Sequence, residues 1–263
     1  MRSFTITTTW GPNHYDVYAK RCIESIFKNW PKEVKKIFYP DDLQQQIHAD
    51  NTTYLNLKNN QPELQEFIDR NKNNDLIKEK MENPMRSAFE YDAIRFSYKV
   101  FCMLDAAEKC NTDVLIFIDA DTVTYKKVPL EWLEHIAPED KFTTFLGRPK
   151  KGFSETGFIT FNLALPESQK FFARWREYYK QDLWKNLKGF TDSFTYDAAR
   201  IDSTDRSLDN DLNDGRYLGY RGSKHPFVNS ELGDYMDHLK GDRKDIQSSV
   251  ADMKVKRKDD HWK

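Results

Sequence analysis

Two aspartates separated by one residue follow the most apolar segment of the chain. The segment 113–118 reads Asp-Val-Leu-Ile-Phe-Ile, and Asp119, Ala120 and Asp121 come directly after it. In an open α/β sheet, ligands bind along the carboxyl ends of the strands, and i, i+2 spacing lets both carboxylates point to the same side. Two like charges this close repel each other unless a cation intervenes, so the pair predicts a divalent metal site. The alternative is a strand-end turn with two solvated aspartates.

A second candidate group lies near the C-terminus, where residues 238–244 read His-Leu-Lys-Gly-Asp-Arg-Lys. An imidazole beside a carboxylate pair favours Mn²⁺ over Mg²⁺, because Mg²⁺ prefers oxygen ligands. Gly241 has no Cβ, so a diphosphate can approach the backbone closely, and Lys244 supplies a compact cation. The alternative is structural, because residues 230–240 also predict an amphipathic helix whose C-cap would be Gly241.

Two basic residues, Arg95 and Lys99, are spaced i, i+4 on a helix predicted from about Phe89 to Glu108. Like charges at this spacing are mildly destabilising, and an anion between them would remove the conflict. The competing interpretation is an ion pair between Arg95 and Asp92.

The elements that must position these residues alternate between strand and helix. Residues 3–9 predict a strand, the apolar stripe from Tyr15 to Phe27 predicts a helix, and residues 34–39 predict a second strand. This order is typical of a right-handed parallel crossover. Segment 113–118 has the composition of a central strand that is covered on both faces. Further strands are predicted at 142–147 and 158–163, and residues 51–83 predict inserted helices and loops.

Composition limits the class of protein. The chain has 263 residues, of which 38% are hydrophobic and 14% aromatic, and 41 Lys and Arg nearly balance 42 Asp and Glu. We expect one folded domain over residues 1–250 and a charged, solvated tail over 251–263. The charge balance argues against a nucleic-acid partner. Three cysteines, no signal-peptide pattern and no apolar run long enough to span a bilayer predict a cytoplasmic protein without a membrane span.

Three separated motifs resemble those of glycosyltransferases with the GT-A fold, in particular retaining family 8, which includes glycogenin and bacterial galactosyltransferases. In chain order they are Thr7-Thr8-Thr9-Trp10-Gly11-Pro12-Asn13-His14-Tyr15, Ile118-Asp119-Ala120-Asp121-Thr122-Val123 and His238-Leu239-Lys240-Gly241-Asp242-Arg243-Lys244. The resemblance implies an α/β fold consisting of a single Rossmann-like GT-A domain, with a mostly parallel central sheet flanked by helices. It also implies Mn²⁺ or Mg²⁺ held by Asp119, Asp121 and His238, and a nucleoside-diphosphate-sugar donor.

By resemblance, the first motif forms the nucleobase pocket, in which Thr7 and Thr8 end the strand and Tyr15 covers the base. Because Tyr15 also belongs to the apolar stripe of its helix, core packing competes with this stacking role. The residues that the resemblance places against the donor are Thr7, Thr8, Tyr15, Arg95, Lys99, Asp119, Ala120, Gly241 and Lys244.

The acceptor side departs from the family pattern. Glu155, Thr156 and Gly157 replace the usual Asn-Ser-Gly, and we expect them to form a turn that contacts the acceptor. Asp192 and then Asp197 are the candidates for the acid that faces the sugar, although an Asp before a helical run is also an ordinary N-cap. The Trp-Pro that follows the last lysine in the family is missing.

The expected function is transfer of a sugar from a nucleoside-diphosphate sugar to the hydroxyl of a glycan or small molecule, and the resemblance implies a UDP-hexose donor and retention of configuration. One alternative is a nucleotidyltransferase, although residues 10–13 lack the glycine-rich basic loop that such an enzyme carries after its first strand. The other alternative is a non-catalytic module that binds nucleotide sugars.

Overall fold

The computed structural model describes residues 2–41, 47, 49–82, 87–148, 153–213 and 225–263. Its strands are β1 (Phe4–Trp10), β2 (Lys35–Pro40), β3 (Thr52–Tyr54), β4 (Val114–Ile118), β5 (Thr122–Thr124), β6 (Thr143–Leu146), β7 (Glu155–Asn162), β8 (Asp209–Asp211) and β9 (Met236–His238). Seven of these described strands form one sheet in the order β3-β2-β1-β4-β7-β6-β8. Only β7 runs antiparallel to its neighbours β4 and β6, so the sheet is mostly parallel, as the sequence predicts.

Helices connect and cover these strands. They are α1 (Lys20–Asn29), α2 (Leu57–Asn60), α3 (Pro62–Asn71), α4 (Asp75–Met81), α5 (Ala93–Lys109), α6 (Leu130–Ile136), α7 (Glu167–Lys180), α8 (Asp192–Ser203) and α9 (Arg243–Ile246). A π-helical turn, Tyr15–Ala19, precedes α1. Short 3₁₀ turns are Ala88–Tyr91, Leu183–Asn186, Arg206–Leu208, Glu231–Asp234, Val250–Asp252 and Asp260–Trp262. Among the described residues, every helix is too short or too polar to cross a bilayer.

The core lies on both faces of the sheet. All five residues of β4 are buried, which explains why its sequence is continuously apolar rather than alternating. One face packs against α1 and α6, and the other packs against α3, α5, α7 and α8. The three cysteines are free thiols, and two of them, Cys22 and Cys102, are buried among these side chains. A central strand held from both sides gives a rigid base for the residues that follow Ile118.

The helix predicted over residues 230–240 is wrong. The structure has a 3₁₀ turn and then β9, which pairs antiparallel with β5 so that His238 lies opposite Thr122. Leu232 and Met236 are both buried in the core, and their spacing imitated a helical stripe. The pairing with β5 is a long-range interaction that local periodicity does not report. As a result, the two motifs that carry Asp121 and His238 are joined by one small sheet.

Two further segments differ from expectation. Residues 52–54 form the edge strand β3, which pairs with β2 and was not predicted within the polar segment 51–83. The C-terminal segment is not simply solvated, because Trp262 is buried and its indole donates a hydrogen bond to the hydroxyl of Tyr125. Arg257, from the basic run of the tail, pairs with Asp234.

Candidate active site

The two aspartates lie at the carboxyl end of β4, where the sequence predicts them. The backbone N–H of Asp119 donates to the carbonyl of Gly157 at 2.9 Å, and the N–H of Leu239 donates to the carbonyl of Asp121 at 2.9 Å. Residues 119–121 are therefore held on one side by β7 and on the other side by the residues that follow β9. Backbone bonds of this kind hold the two carboxylates in place without using their side chains.

His238 meets both aspartates, so the three predicted metal ligands converge. Its Nε2 lies 3.0 Å from Oδ1 of Asp121 and 3.4 Å from Oδ2 of Asp119. The imidazole is 1% exposed. Burial favours its neutral form, but Asp121 and Asp119 outweigh burial and raise the pKa of His238 to about 9. In the metal-free protein a protonated His238 thus balances part of the negative charge.

Lys244 completes this group. Its Nζ lies 2.6 Å from Oδ2 of Asp121 and 5.1 Å from the ring centre of Tyr18. Burial would raise the pKa of Asp121, but His238 and Lys244 lower it well below its ordinary range. Gly241 has a φ of +62°, a left-handed conformation that turns the chain from β9 into α9. Gly241 is therefore the turn that returns Lys244 to the aspartates and not the C-cap of a long helix.

Lys99 lies between two carboxylates, whereas its spacing to Arg95 predicts that the two cations share an anion. Its Nζ lies 2.8 Å from Asp119 and 2.9 Å from Asp192, and its pKa is raised because these two carboxylates outweigh burial. Arg95 is exposed, with its guanidinium over the ring of Phe89. The predicted ion pair between Asp92 and Arg95 is wrong, because Asp92 instead caps α5 by accepting the backbone N–H of Arg95. The carboxylates of Asp119 and Asp192 compensate the charge of Lys99.

Asp192 is brought to the site and Asp197 is not. Asp192 is the first residue of α8, after the N-cap Thr191, and its carboxylate accepts from Oγ1 of Thr156 at 2.6 Å. It is 2% exposed. Asp197 accepts from the N–H and the hydroxyl of Ser154, both at 2.7 Å, and pairs with Arg200. Of the two candidate acids, Asp192 therefore lies beside Lys99, and Asp197 anchors the start of β7.

The expected acceptor turn is wrong, because Glu155, Thr156 and Gly157 are the first residues of β7 and are buried. Glu155 pairs with Lys240 at 2.7 Å and with Arg148 at 3.1 Å. Burial would raise its pKa, but these two cations lower it well below the usual range. The antiparallel pairing with β6 explains the strand, since it places Glu155 opposite Leu146 and so extends β7 further towards its N-terminus than local sequence suggests.

Residues predicted for the nucleobase pocket are mostly packed in the fold. Thr7 and Thr8 are fully buried within β1, with Oγ1 of Thr7 3.6 Å from Sγ of Cys102. Ala120 is also buried. Tyr15 is half-buried, with its ring 6.1 Å from that of Trp10. Tyr15 therefore has the accessibility that stacking on a base requires, whereas any contact from the two threonines would need a rearrangement of β1.

Comparisons with known proteins identify the fold. The chain matches no protein-family model, and a search of curated proteins gives no match. The structure is similar to the apo form of WbbM, a bifunctional glycosyltransferase, with a TM-score of 0.50 and 11% identity over 91% of this chain and 46% of that chain. It is also similar to apo mouse xyloside xylosyltransferase 1, with a TM-score of 0.51 and 10% identity over 86% of this chain and 92% of that chain.

The fold is the GT-A fold of glycosyltransferases. At 10 to 11% identity the likeness shows the fold alone, so the chemistry must be argued from the site. Asp119, Glu155 and His238 each offer a ligand atom within 4.8 Å of the others, a spacing that suits a metal ion. With Asp121 close to His238, the site presents oxygen and imidazole donors together.

Sequence reasoning missed two cations of this site, Lys240 and Arg148, and the position of Tyr18 beneath Lys244. Lys240 follows His238 by two residues, and residues two apart in a strand point to the same face of the sheet. The helical pattern of residues 230–240 hides this signal. Arg148 carries no local signal, since local sequence predicts its partner Glu155 in a turn.

Proposed function

We propose that this protein is a metal-dependent glycosyltransferase that moves a sugar from a nucleoside-diphosphate sugar to an acceptor hydroxyl. The observation that carries the proposal is the convergence of Asp119, Asp121 and His238, with Lys244 beside them, at the carboxyl end of β4. In α/β folds, ligands bind at this edge of the sheet. A purely structural salt bridge would not require two aspartates, one imidazole and one lysine from separated parts of the chain.

The side chains present fit a divalent cation. Asp119 and Asp121 supply carboxylate oxygens, His238 supplies Nε2, and this mixed set suits Mn²⁺ better than Mg²⁺. A bound divalent ion would neutralise the charge that develops on the leaving diphosphate. Lys99 keeps Asp119 ionised, because its ammonium lies 2.8 Å from Oδ1 of that carboxylate, whereas His238 faces Oδ2. The Asp119 carboxylate is thereby held ionised and oriented before any metal binds.

The remaining residues have roles that follow from their positions. Lys244 is the most exposed of the three cations, at 25%, and would exchange Asp121 for a phosphate oxygen of the donor. Asp192, held by Lys99 and Thr156, orients the transferred sugar and assists electrostatically. In the transfer, the bond from C1 of the sugar to the phosphate oxygen breaks, and the diphosphate leaves with the electron pair. The acceptor oxygen bonds to C1 and its proton passes to the departing phosphate oxygen.

The finer specificity follows the resemblance of the three motifs to retaining family 8. On that basis the donor is a UDP-hexose, the anomeric configuration is retained, and the acceptor is a glycan or a small molecule. Tyr15 is the residue that we assign to stacking on the base, because its ring is half-buried beside Trp10. In the single displacement described above, retention means that attack and departure occur on the same face of the sugar, which is consistent with proton transfer to the leaving phosphate.

One incubation separates this function from its alternatives. The protein is mixed with Mn²⁺ and a panel of sugar nucleotides, and released nucleoside diphosphate is measured with and without candidate acceptors. Release of nucleoside diphosphate supports the proposal. Release of sugar 1-phosphate, with transfer of the nucleoside monophosphate, would instead identify a nucleotidyltransferase, and binding without turnover would identify a binding module. NMR of the product then gives the anomeric configuration, and inversion would contradict the family 8 assignment.

A further inference from the structure

The two ring nitrogens of His238 face different surroundings. Nε2 faces Asp121 and Asp119, as described above. Nδ1 is buried and has no hydrogen-bond partner among the described residues. A buried polar nitrogen without a partner is uncommon and calls for an explanation. The carboxylate that lies towards it is that of Glu155, whose Oε1 is 4.0 Å from Nδ1.

Glu155 is held in a charged state beside this nitrogen. It is 3% exposed, and both of its oxygens accept from Nζ of Lys240, at 2.7 and 2.9 Å. Arg148 adds a second cation at 3.1 Å. A buried carboxylate is costly unless it is paired, and here two cations from different segments pair it. The negative charge is therefore fixed on the side of His238 that is opposite the aspartates.

Gly157 keeps the space between Glu155 and His238 open. A Cβ at this position would lie 2.5 Å from Cε1 and 2.7 Å from Nδ1 of His238, and 3.1 Å from Oε1 of Glu155. Both distances to the imidazole are too short for a real contact, so a larger residue would displace the ring. The absence of a side chain here lets the imidazole lie directly between the two carboxylate groups.

We propose that Glu155 is a positioning residue for the metal site, which keeps the remaining proton of His238 on Nδ1 and so presents Nε2 to the metal. This inference rests on the proposed function. A ligating histidine commonly has its second nitrogen directed at a carboxylate, which fixes the tautomer and the ring orientation. The role differs from the acceptor contact that the resemblance implies for Glu155.

The first test is a titration of the metal-free protein with Mn²⁺, in the absence of donor, with free Mn²⁺ followed by electron paramagnetic resonance. Glu155→Gln keeps the shape of the side chain and removes its charge, and it is expected to weaken Mn²⁺ binding about 10- to 100-fold. The control is Asp105→Asn, which removes a fully buried carboxylate of α5 that contacts Tyr39, Gln61 and Lys109. It is expected to lower thermal stability and to leave Mn²⁺ affinity unchanged.

A double-mutant cycle shows whether Glu155 acts through His238. In a His238→Gln background, Glu155→Gln is expected to cause no further loss of Mn²⁺ affinity. An equal loss in both backgrounds would mean that Glu155 binds the metal itself, and it would overturn the positioning role. Unchanged affinity in folded Glu155→Gln would overturn it as well. If Asp121→Asn and His238→Gln also leave affinity unchanged, the proposed metal site fails instead.

A second measurement uses the unaltered protein and does not depend on the folding of a variant. Nitrogen-15 NMR of the Mg²⁺-loaded protein reports which ring nitrogen of His238 carries the proton. A downfield, exchange-protected proton on Nδ1 is the expected result, because the nitrogen is buried and faces a carboxylate. An Nδ1 without a proton would contradict the proposal.

Discussion

Two buried charge clusters lie along the same helix, α5, and they are built differently. In the Asp105 cluster, a single carboxylate accepts from the hydroxyl of Tyr39 at 2.7 Å and from Gln61 and Lys109, each at 2.8 Å. In the site cluster, which we define as Asp119, Asp121, Asp192, Lys99, His238 and Lys244, three carboxylates share three cations. The first cluster is saturated by its own neighbours, whereas the second can exchange a partner for a ligand.

This difference indicates why burial of charge alone does not identify a functional site. A carboxylate whose oxygens are occupied by neutral donors and one lysine contributes to stability and offers no free ligand atom. Carboxylates that converge on the same few cations remain charged and accessible to a stronger cation. Substitutions in each cluster should therefore have different effects on metal binding, turnover and the free energy of unfolding.

Asp121→Asn tests the ligand role directly. We expect Mn²⁺-dependent donor binding and turnover to fall by more than about 100-fold, because loss of a ligand should exceed the effect of losing an outer-shell partner. The fold should persist, because an amide can still accept hydrogen bonds. Nucleoside diphosphate release and thermal unfolding measure the two effects. Asp105→Asn should show the opposite pattern, with turnover retained and stability reduced, and equal effects of the two variants would remove the distinction between the clusters.

Lys99→Met and Lys109→Met compare the two lysines of α5. Lys99 is 12% exposed and pairs with the buried Asp192 and the partly exposed Asp119, so its loss leaves a buried carboxylate without its cation and is expected to cost about 3 to 5 kcal/mol of unfolding free energy. Lys109 is 36% exposed, and Asp105 keeps its two other donors, so its loss should cost about 1 kcal/mol or less. Urea unfolding of both variants provides the measurement. Equal destabilisation would contradict the distinction.

Acid should weaken the region of the site through His225. Its Nε2 donates to the carbonyl of His238 at 2.8 Å, and burial and the charge of His238 lower its pKa to about 4. Above pH 6.5, His225 is neutral in both the folded and the unfolded chain, so its titration does not affect the free energy of unfolding. As the pH falls from 6.5 towards 4, His225 binds a proton in the unfolded chain but not in the folded one, and this difference lowers the free energy of unfolding by about 3 kcal/mol.

Hydrogen exchange between pH 7 and pH 4 measures this effect. The amides of β9 are expected to lose protection before those in the C-terminal half of α5. The variant His225→Gln, which keeps a donor but does not titrate, should remove most of the difference. Simultaneous loss of protection in both regions of the unaltered protein would show that His225 is not the cause.

Gly241→Ala should have the smallest effect. A Cβ at this position meets nothing within 4 Å, so the cost is the left-handed φ of +62° alone, about 1 kcal/mol. Denaturant unfolding measures the stability, and the KM for the donor reports whether Lys244 remains in place. A loss of several kcal/mol would mean that the turn carries interactions beyond its backbone conformation.

The sequence predicted the parts of the molecule that local pattern determines. The buried strand β4 with Asp119 and Asp121 at its end, the crossover from β1 to β2 and the mostly parallel sheet are all confirmed. The continuous apolar run and the helical stripe each carry enough residues to define a period. The sequence also predicts Asp192 and Lys99 as site residues, and the structure brings them together.

What could not be predicted depends on contacts between distant segments. The strand β9 exists because β5 pairs with it, and three residues are too few to show the alternating pattern of a strand. Local sequence predicts Glu155 in a turn, because the pairing that extends β7 to this residue comes from Leu146 of β6. The environment of Lys99 likewise depends on Asp119 and Asp192, which lie on other elements, so its spacing to Arg95 carried little information.

The pairing of β5 with β9 has a consequence for the order of folding. Thr122 and His238 are separated by more than a hundred residues, so closing this contact carries a large loop entropy and is expected late. During synthesis, the two aspartates leave the ribosome long before the histidine does. A nascent or partly folded chain therefore presents only an aspartate pair, and the complete set of ligands is assembled in one of the last steps of folding.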